Sequence, residues 1–159
     1  MNKKFYSLGL MSGTSMDGID ASIIQSDGDT KYKVILDEYF EYDKGIYQEL
    51  SNLKDKINKS DDLKKFSRKI KDIEKKITLL HGLAANKIIN DSGVNIDLIG
   101  FHGQTIFHNT KRSINFKKRI SKQLGDGRLL SKLTKKTVVN NFRKNDILLG
   151  GEGAPLAPI

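Results

Sequence analysis

The segment Gly9-Leu10-Met11-Ser12-Gly13-Thr14-Ser15-Met16-Asp17-Gly18-Ile19-Asp20-Ala21 concentrates more chemically useful groups than any other part of the chain. Two strand-like apolar runs flank a turn of glycines, hydroxyls and carboxylates. Glycine reaches backbone conformations closed to other residues and lets a ligand approach the chain closely. Gly13 and Gly18 could serve that purpose, with Thr14 and Ser15 adding hydroxyl donors to the turn's own N–H groups, a combination suited to phosphate. Asp17 and Asp20 could hold the Mg²⁺ that accompanies a nucleotide, because hard cations take oxygen ligands. An ordinary hairpin turn draws on the same residue types, so the residues by themselves leave both readings open.

Three more polar clusters follow. They are Gly100-Phe101-His102-Gly103-Gln104-Thr105, then Gln123-Leu124-Gly125-Asp126-Gly127, then Asn141-Phe142-Arg143 through Asp146 to Gly150-Gly151-Glu152-Gly153-Ala154-Pro155-Leu156. With Met-Ser-Gly-Thr-Ser-Met-Asp-Gly-Ile-Asp at Met11 to Asp20 they make four motifs whose order and spacing resemble those of the anhydro-N-acetylmuramic acid kinase family. The resemblance runs from about Phe5 to Ile159 and is weakest between roughly Lys31 and Asn95.

That resemblance carries specific expectations. The fold implied is an α/β lobe of the actin-like, sugar-kinase (ribonuclease H-like) type, with a mixed sheet, an N-terminal antiparallel meander and flanking helices. The reaction implied is ATP-dependent phosphorylation of the 6-oxygen of 1,6-anhydro-N-acetylmuramic acid, with water opening the anhydro ring, in peptidoglycan turnover. Gly13, Thr14, Ser15, Met16, Asp17, Gly18, Ile19 and Asp20 match the family's ATP-binding segment, with Asp17 and Asp20 toward Mg²⁺. His102, Gln104, Thr105, Asp126 and Arg143 match positions on the sugar side of the cleft. The bare residues allow other duties: His102 could bond neighbouring backbone, and Asp126 could serve a helix start.

One match departs from the family. Where its members usually carry Asp-Phe-Arg, with that Asp as the base that activates water, this chain reads Asn141-Phe142-Arg143. An amide accepts no proton, and loss of a general base typically removes ~10²–10⁴ in rate. Asp146, matching a family acid five positions later, is the nearest replacement. Glu152 likewise stands where the family has Gln in its Gly-Gly-Gln-Gly-Ala-Pro run.

The elements that must position these groups can be read in outline. Phe5 to Met11, Ile19 to Gln25 and Tyr32 to Tyr42 are strand-like and suggest an antiparallel three-stranded meander, with Asp27-Gly28-Asp29 as a turn. A short helix is expected near Ile46 to Ile57. A long helix follows, capped by Ser60 and running to about Asn90 with Leu63, Phe66, Ile70, Ile73, Ile77, Leu80 and Ala84 on one stripe. Asp91-Ser92-Gly93 stops it, and Ile96 to Phe101 reads as a short buried strand from whose end His102 to Thr105 emerge as a polar turn. Leu129 to Leu133 lie on a helix starting near Gly125 to Gly127, and Thr137 to Val139 form another strand leading into Asn140 and Asn141. His81 and His108 read as surface residues without a zinc-ligand spacing.

Composition bounds the rest. A chain of 159 residues buries roughly 70% of its unfolded surface and predicts one domain. Family members are more than twice as long with two lobes, so the expectation is an N-terminal lobe over 1–159, truncated, with an incomplete second lobe. The net charge of +9 raises nucleic acid as a partner, but the lysines are scattered, densest on a helix face between Lys54 and Lys87, without interleaved aromatics for stacking. The expected partners are therefore a small sugar and ATP, with no nucleic acid and no membrane, and a homodimer is allowed for a full-length protein. There is no cysteine, hence no disulfide framework. No apolar run approaches the ~20 residues of a membrane span, and the Met1-Asn2-Lys3-Lys4 start precedes too short a run for a secretory signal. The default location is cytoplasmic. A competing class is a lobe that binds sugar or nucleotide, or a complementary chain, without efficient turnover.

Overall fold

The computed structural model describes residues 4–110 and 119–154. The meander forms as expected: β1 (Phe5–Ser12), β2 (Gly18–Ser26) and β3 (Tyr32–Glu41) pair antiparallel in sequence, Leu10 opposite Ala21 and Ile23 opposite Leu36. Helices α1 (Lys44–Lys54), α2 (Ser60–Lys65) and α3 (Ser67–Ser92) follow, then β4 (Leu98–Asn109), β5 (Ile120–Leu124), α4 (Gly127–Thr134), β6 (Thr137–Asn140) and α5 (Phe142–Leu148). The six strands make one mixed sheet in the order β3-β2-β1-β4-β5, with β6 also paired to β4. Strand β4 lies parallel to β1 along one edge; its other edge is shared, Leu98 to Phe101 pairing parallel with β6 and Gln104 to Asn109 antiparallel with β5.

Alternation along the strands decides which face is covered. Leu8, Leu10 and Ser12 of β1, Ile19, Ala21 and Ile23 of β2, and Ile99 and Phe101 of β4 are buried, and α3 supplies Ile70, Ile73, Ile77, Ala84, Ala85 and Ile88 to the same core. Leu63, Phe66 and Leu80 of the expected stripe pack against that core half-buried. The face carrying Gly9, Met11, Asp20, Ser22, Gly100 and His102 is instead an open groove of about 640 Å³, with Phe142 at one wall.

Several boundaries differ from the sequence expectation. The helix begun at Ser60 is interrupted at Phe66, which closes α2 and opens α3 with backbone at φ −100°, ψ 18°. Ser60 is a first-turn residue and not the cap. The backbone N–H groups of Asn58 and Lys59 are met by the Asp62 carboxylate, both at 3.0 Å, which does the capping work from inside the helix. Helix α1 starts two residues early because the Asp43 carboxylate accepts from Ile46 N at 2.9 Å. His102 to Thr105 are not a turn: β4 runs through them to Asn109, because Gln104, Thr105 and Ile106 are buried and β5 supplies a pairing edge. The polar run is accommodated by a register shift beside Gly103, whose φ of +74° lies in the left-handed region and whose missing side chain would collide with the Leu124 carbonyl. No described helix is long and apolar enough to cross a membrane.

Candidate active site

Because β1, β4 and β6 run parallel, the C-terminal ends of β1 and β6 and the middle of β4 reach one edge of the sheet, where ligands gather in folds of this kind. That edge collects the Gly13 to Asp17 loop after β1, the His102 to Gln104 stretch of β4, and Asn140 to Arg143 after β6. The strand topology brings three of the four sequence clusters to that edge, and Gln123 and Gly125 of the remaining one line the cleft beside His102.

The loop after β1 has its carbonyls turned toward the protein. Gly13 O accepts from Gln104 Nε2 at 2.6 Å and from Met16 N at 3.3 Å, Thr14 O from Lys54 Nζ at 3.4 Å, and Asp17 O from Tyr42 N at 2.7 Å. The amides of Thr14 and Ser15 meet no acceptor among the described residues, and both side chains are exposed. Carbonyls engaged by the protein beside two amides without an acceptor leave N–H donors available to an anion.

The two glycines serve different ends. Neither has positive φ; the left-handed residue of the loop is Met16 at φ 59°. A Cβ at Gly18 would lie 2.5 Å from Phe40 O and 2.6 Å from the Tyr39 ring, so β3 demands that glycine. A Cβ at Gly13 would meet only Ser15 Oγ at 3.5 Å. Among the described residues no side chain or backbone group requires a glycine there. Met16 and Ile19 bury their side chains in the core, so only their backbone faces the loop.

Asp17 and Asp20 are both exposed and share a neighbour in the Tyr39 phenol, which stands among Asp17, Asp20 and Glu41. Ser15 Oγ donates to Asp17 Oδ1 at 2.6 Å, and this bond holds the Asp17 carboxyl below its ordinary range. Among the described residues no group of three or more His, Asp or Glu side chains is arranged to hold a metal. Two exposed carboxylates nevertheless fit Mg²⁺, which keeps several waters and takes its remaining oxygens from phosphate.

The second half of the site surrounds a small cleft lined by His102, Gln123, Gly125, Asn140, Asn141, Phe142 and Arg143. His102 Nδ1 donates to Gly103 O at 2.8 Å, and its Nε2 accepts from Arg143 Nε at 2.7 Å. Burial pushes its pKa below the usual imidazole value, with the Arg143 charge adding to the effect, so the ring is a neutral acceptor of fixed tautomer. Asn141 occupies a left-handed position, φ 62°, which Asn and Asp tolerate best among residues with side chains, and its Nδ2 donates to Asn140 Oδ1 at 3.1 Å.

Asp146 sits apart from that cleft. Its Oδ2 accepts from Gly153 N at 2.7 Å, and the carboxylate fills the space a side chain at Gly151 would need. Arg143 Nη1 donates to Gly153 O and Arg119 Nη1 to Gly150 O and Gly151 O, each at 3.2 Å, so the glycine-rich run is tied at several points. Pro155 to Ile159 of that motif lie outside the described residues. Asp126 caps α4, its Oδ1 accepting from Arg128 N at 2.9 Å and Leu129 N at 3.0 Å. Gln104 is fully buried, spending its amide N–H groups on Gly13 O and Thr105 O, while its Oε1 has no partner among the described residues. Thr105 is buried as well.

His81 corrects a reading: it is not at the surface but fully buried under Ser12, a bond's length from the loop. The stripe carried the signal, since His81 stands four residues after Ile77. Tyr39, Tyr42 and Arg119 were also missed, and no local pattern marks them, for each reaches the site through long-range pairing.

The sequence profile described as Anhydro-N-acetylmuramic acid kinase matches residues 5–159. A protein of that name from Pelagibacter ubique is 59% identical over 159 residues, which is 100% of this chain and 41% of the relative. Relatives of the same name from Agrobacterium fabrum and Rhodospirillum rubrum are 37% and 35% identical, covering 95% and 96% of this chain and 40% and 38% of their own lengths. The chain spans about two fifths of the length of these relatives.

Proposed function

Since the chain belongs to the anhydro-N-acetylmuramic acid kinase family, we propose that it forms the N-terminal lobe of an ATP-dependent kinase of 1,6-anhydro-N-acetylmuramic acid. The observation that carries this reading is the loop after β1, with its carbonyls held inward and the Thr14 and Ser15 amides left for an anion. In the reaction the γ-phosphorus leaves the β,γ-bridging oxygen of ATP and bonds to O6 of the sugar. The C1–O6 bond breaks, water bonds to C1, and its proton is released. The products are ADP and N-acetylmuramic acid 6-phosphate, a step in peptidoglycan turnover and amino-sugar metabolism within the cytoplasm.

Each part of the site takes one share. Gly13 to Ser15 receive the phosphates, and fixed donors there stabilise charge developing during transfer. Asp17 and Asp20 would hold Mg²⁺, which when bound neutralises phosphate charge. His102, Asn141 and Arg143 present neutral and cationic groups to the sugar, while Gln104 supports the loop from below, Thr105 accepts from Gln123, and Asp126 orders the start of α4 beside the cleft. In this reading a second lobe completes the cleft in a full-length protein, which pairs as a homodimer.

Water activation is the weak point. Asn141 accepts no proton, and the Asp146 carboxylate is committed to Gly153 N. This favours a second reading of the same lobe, one that binds sugar or nucleotide, or pairs with a complementary chain, with slow turnover. The two are separated in a chimera joining residues 1–159 to the remaining length of the Pelagibacter ubique relative. Asn141→Asp in that chimera is expected to raise formation of the sugar phosphate by ~10²–10⁴. An unchanged rate would show that another group already takes the proton.

A further inference from the structure

A buried polar network beneath the loop has no part in the chemistry described so far. Ser12 Oγ lies 2.8 Å from the Tyr42 hydroxyl and 3.0 Å from His81 Nε2, and His81 Nδ1 lies 2.8 Å from Ile77 O. Ser12 and His81 are fully buried and Tyr42 nearly so. The carbonyl can only accept, so the imidazole proton is on Nδ1 and Nε2 is an acceptor. Ser12 must then donate to Nε2, and its oxygen accepts from the Tyr42 hydroxyl. Every proton in the chain of bonds has one place. The His81 ring is also held by Phe101, centroid to centroid 5.0 Å at 60°.

The network grips both ends of the loop. Ser12 immediately precedes Gly13, and Tyr42 N holds the Asp17 carbonyl at 2.7 Å, so one residue of β3's end contacts the loop's start through its side chain and its finish through its backbone. α3 supplies the ring of His81 and the Ile77 carbonyl that orients it. We propose that His81 is a positioning residue that, through Ser12 and Tyr42, fixes the shape of the Gly13 to Gly18 loop before any ligand arrives. The inference rests on reading that loop as the phosphate cradle; the loop's shape, however, is measurable without nucleotide.

The burial of His81 supports it independently of the geometry, since desolvation drives its pKa down to about 4 and keeps the ring neutral at physiological pH. A neutral, singly protonated ring is what a one-way set of hydrogen bonds requires. Had the group served only to fill space, an aliphatic side chain at this helix position would pack without desolvating two nitrogens.

The test uses the 159-residue chain without nucleotide. Nitrogen-15 spectra of the imidazole should show His81 with Nδ1 protonated and Nε2 bare, the tautomer that is the minor one for free histidine in water. Ser12→Ala should move the Nε2 resonance and speed exchange of the hydrogen-bonded amides that close the loop, Met16 N–H and Tyr42 N–H, about tenfold, the equivalent of one hydrogen bond of ordinary strength, while exchange in the body of β2 and in α3 stays at its original rate. Tyr42→Phe, which keeps the ring and the backbone N–H, should do the same to a smaller degree. A proton on Nε2, or exchange that rises equally throughout the molecule, would overturn the proposal. The tautomer of the unaltered protein decides the matter even if Ser12→Ala fails to fold. Failure of the wild-type chain to bind Mg–ATP would strike the cradle reading alone.

Discussion

At the residue scale, His81 ties protonation to stability. Its folded pKa of about 4 lies below the ordinary 6.5, so the unfolded chain binds the proton more tightly and folding is penalised as acid is added. The stability tied to this group is fully present above pH 6.5 and is lost as pH falls toward 4, roughly 3 kcal/mol at most. His102 and His108, whose pKa values are also lowered chiefly by burial, add to the same trend. Chemical denaturation between pH 7 and 4.5 should therefore show a steeper loss for the wild-type protein than for His81→Gln, which removes the titrating group; parallel curves would mean that His81 does not remain neutral when folded. The glycines, hydroxyls and carboxylates of the loop could be recognised from residue type. Which of them face outward could not, because that depends on Gln104, Lys54 and Tyr42, 91, 40 and 25 or more positions away from the loop carbonyls they hold.

At the scale of elements, β4 is the part that most changes the account. An apolar run ending at Phe101 reads as a short strand, and the polar residues after it read as a turn. Pairing with β5 and burial of Gln104, Thr105 and Ile106 override that local pattern. β5 itself, Ile120 to Leu124, is short and half polar, and α5 is only seven residues long, so neither announces itself by periodicity. The meander, the stripe of α3 and the start of α4 follow simple periodic or capping rules and are legible. The bend at Gly103 joins the two halves of β4, and Gly103→Ala would force a left-handed alanine against the Leu124 carbonyl. We expect a loss of about 2–4 kcal/mol, read as a lowered denaturation midpoint. A loss under half a kcal/mol would mean that β5 is free to move away and is not a fixed wall of the site.

At the scale of the whole molecule, the architecture explains why the candidate groups gather at one edge of the sheet. Parallel β1, β4 and β6 deliver three motifs to one edge, α3 seals the opposite face of the sheet, and the groove beside Asp20 and His102 stays open. Part of the positive charge is paired: Lys76 with Glu49, Lys87 with Glu38 and Asp91, and Lys122 of β5 with Glu74. Such largely exposed pairs contribute little to stability. The most direct measurement is a titration of nitrogen-15-labelled chain with Mg–ATP, followed amide by amide. The account predicts that the Thr14 and Ser15 resonances move first and furthest, with Gly13 and Asp17 beside them. Shifts confined to the lysine-bearing face of α3, with the loop unmoved, would contradict it.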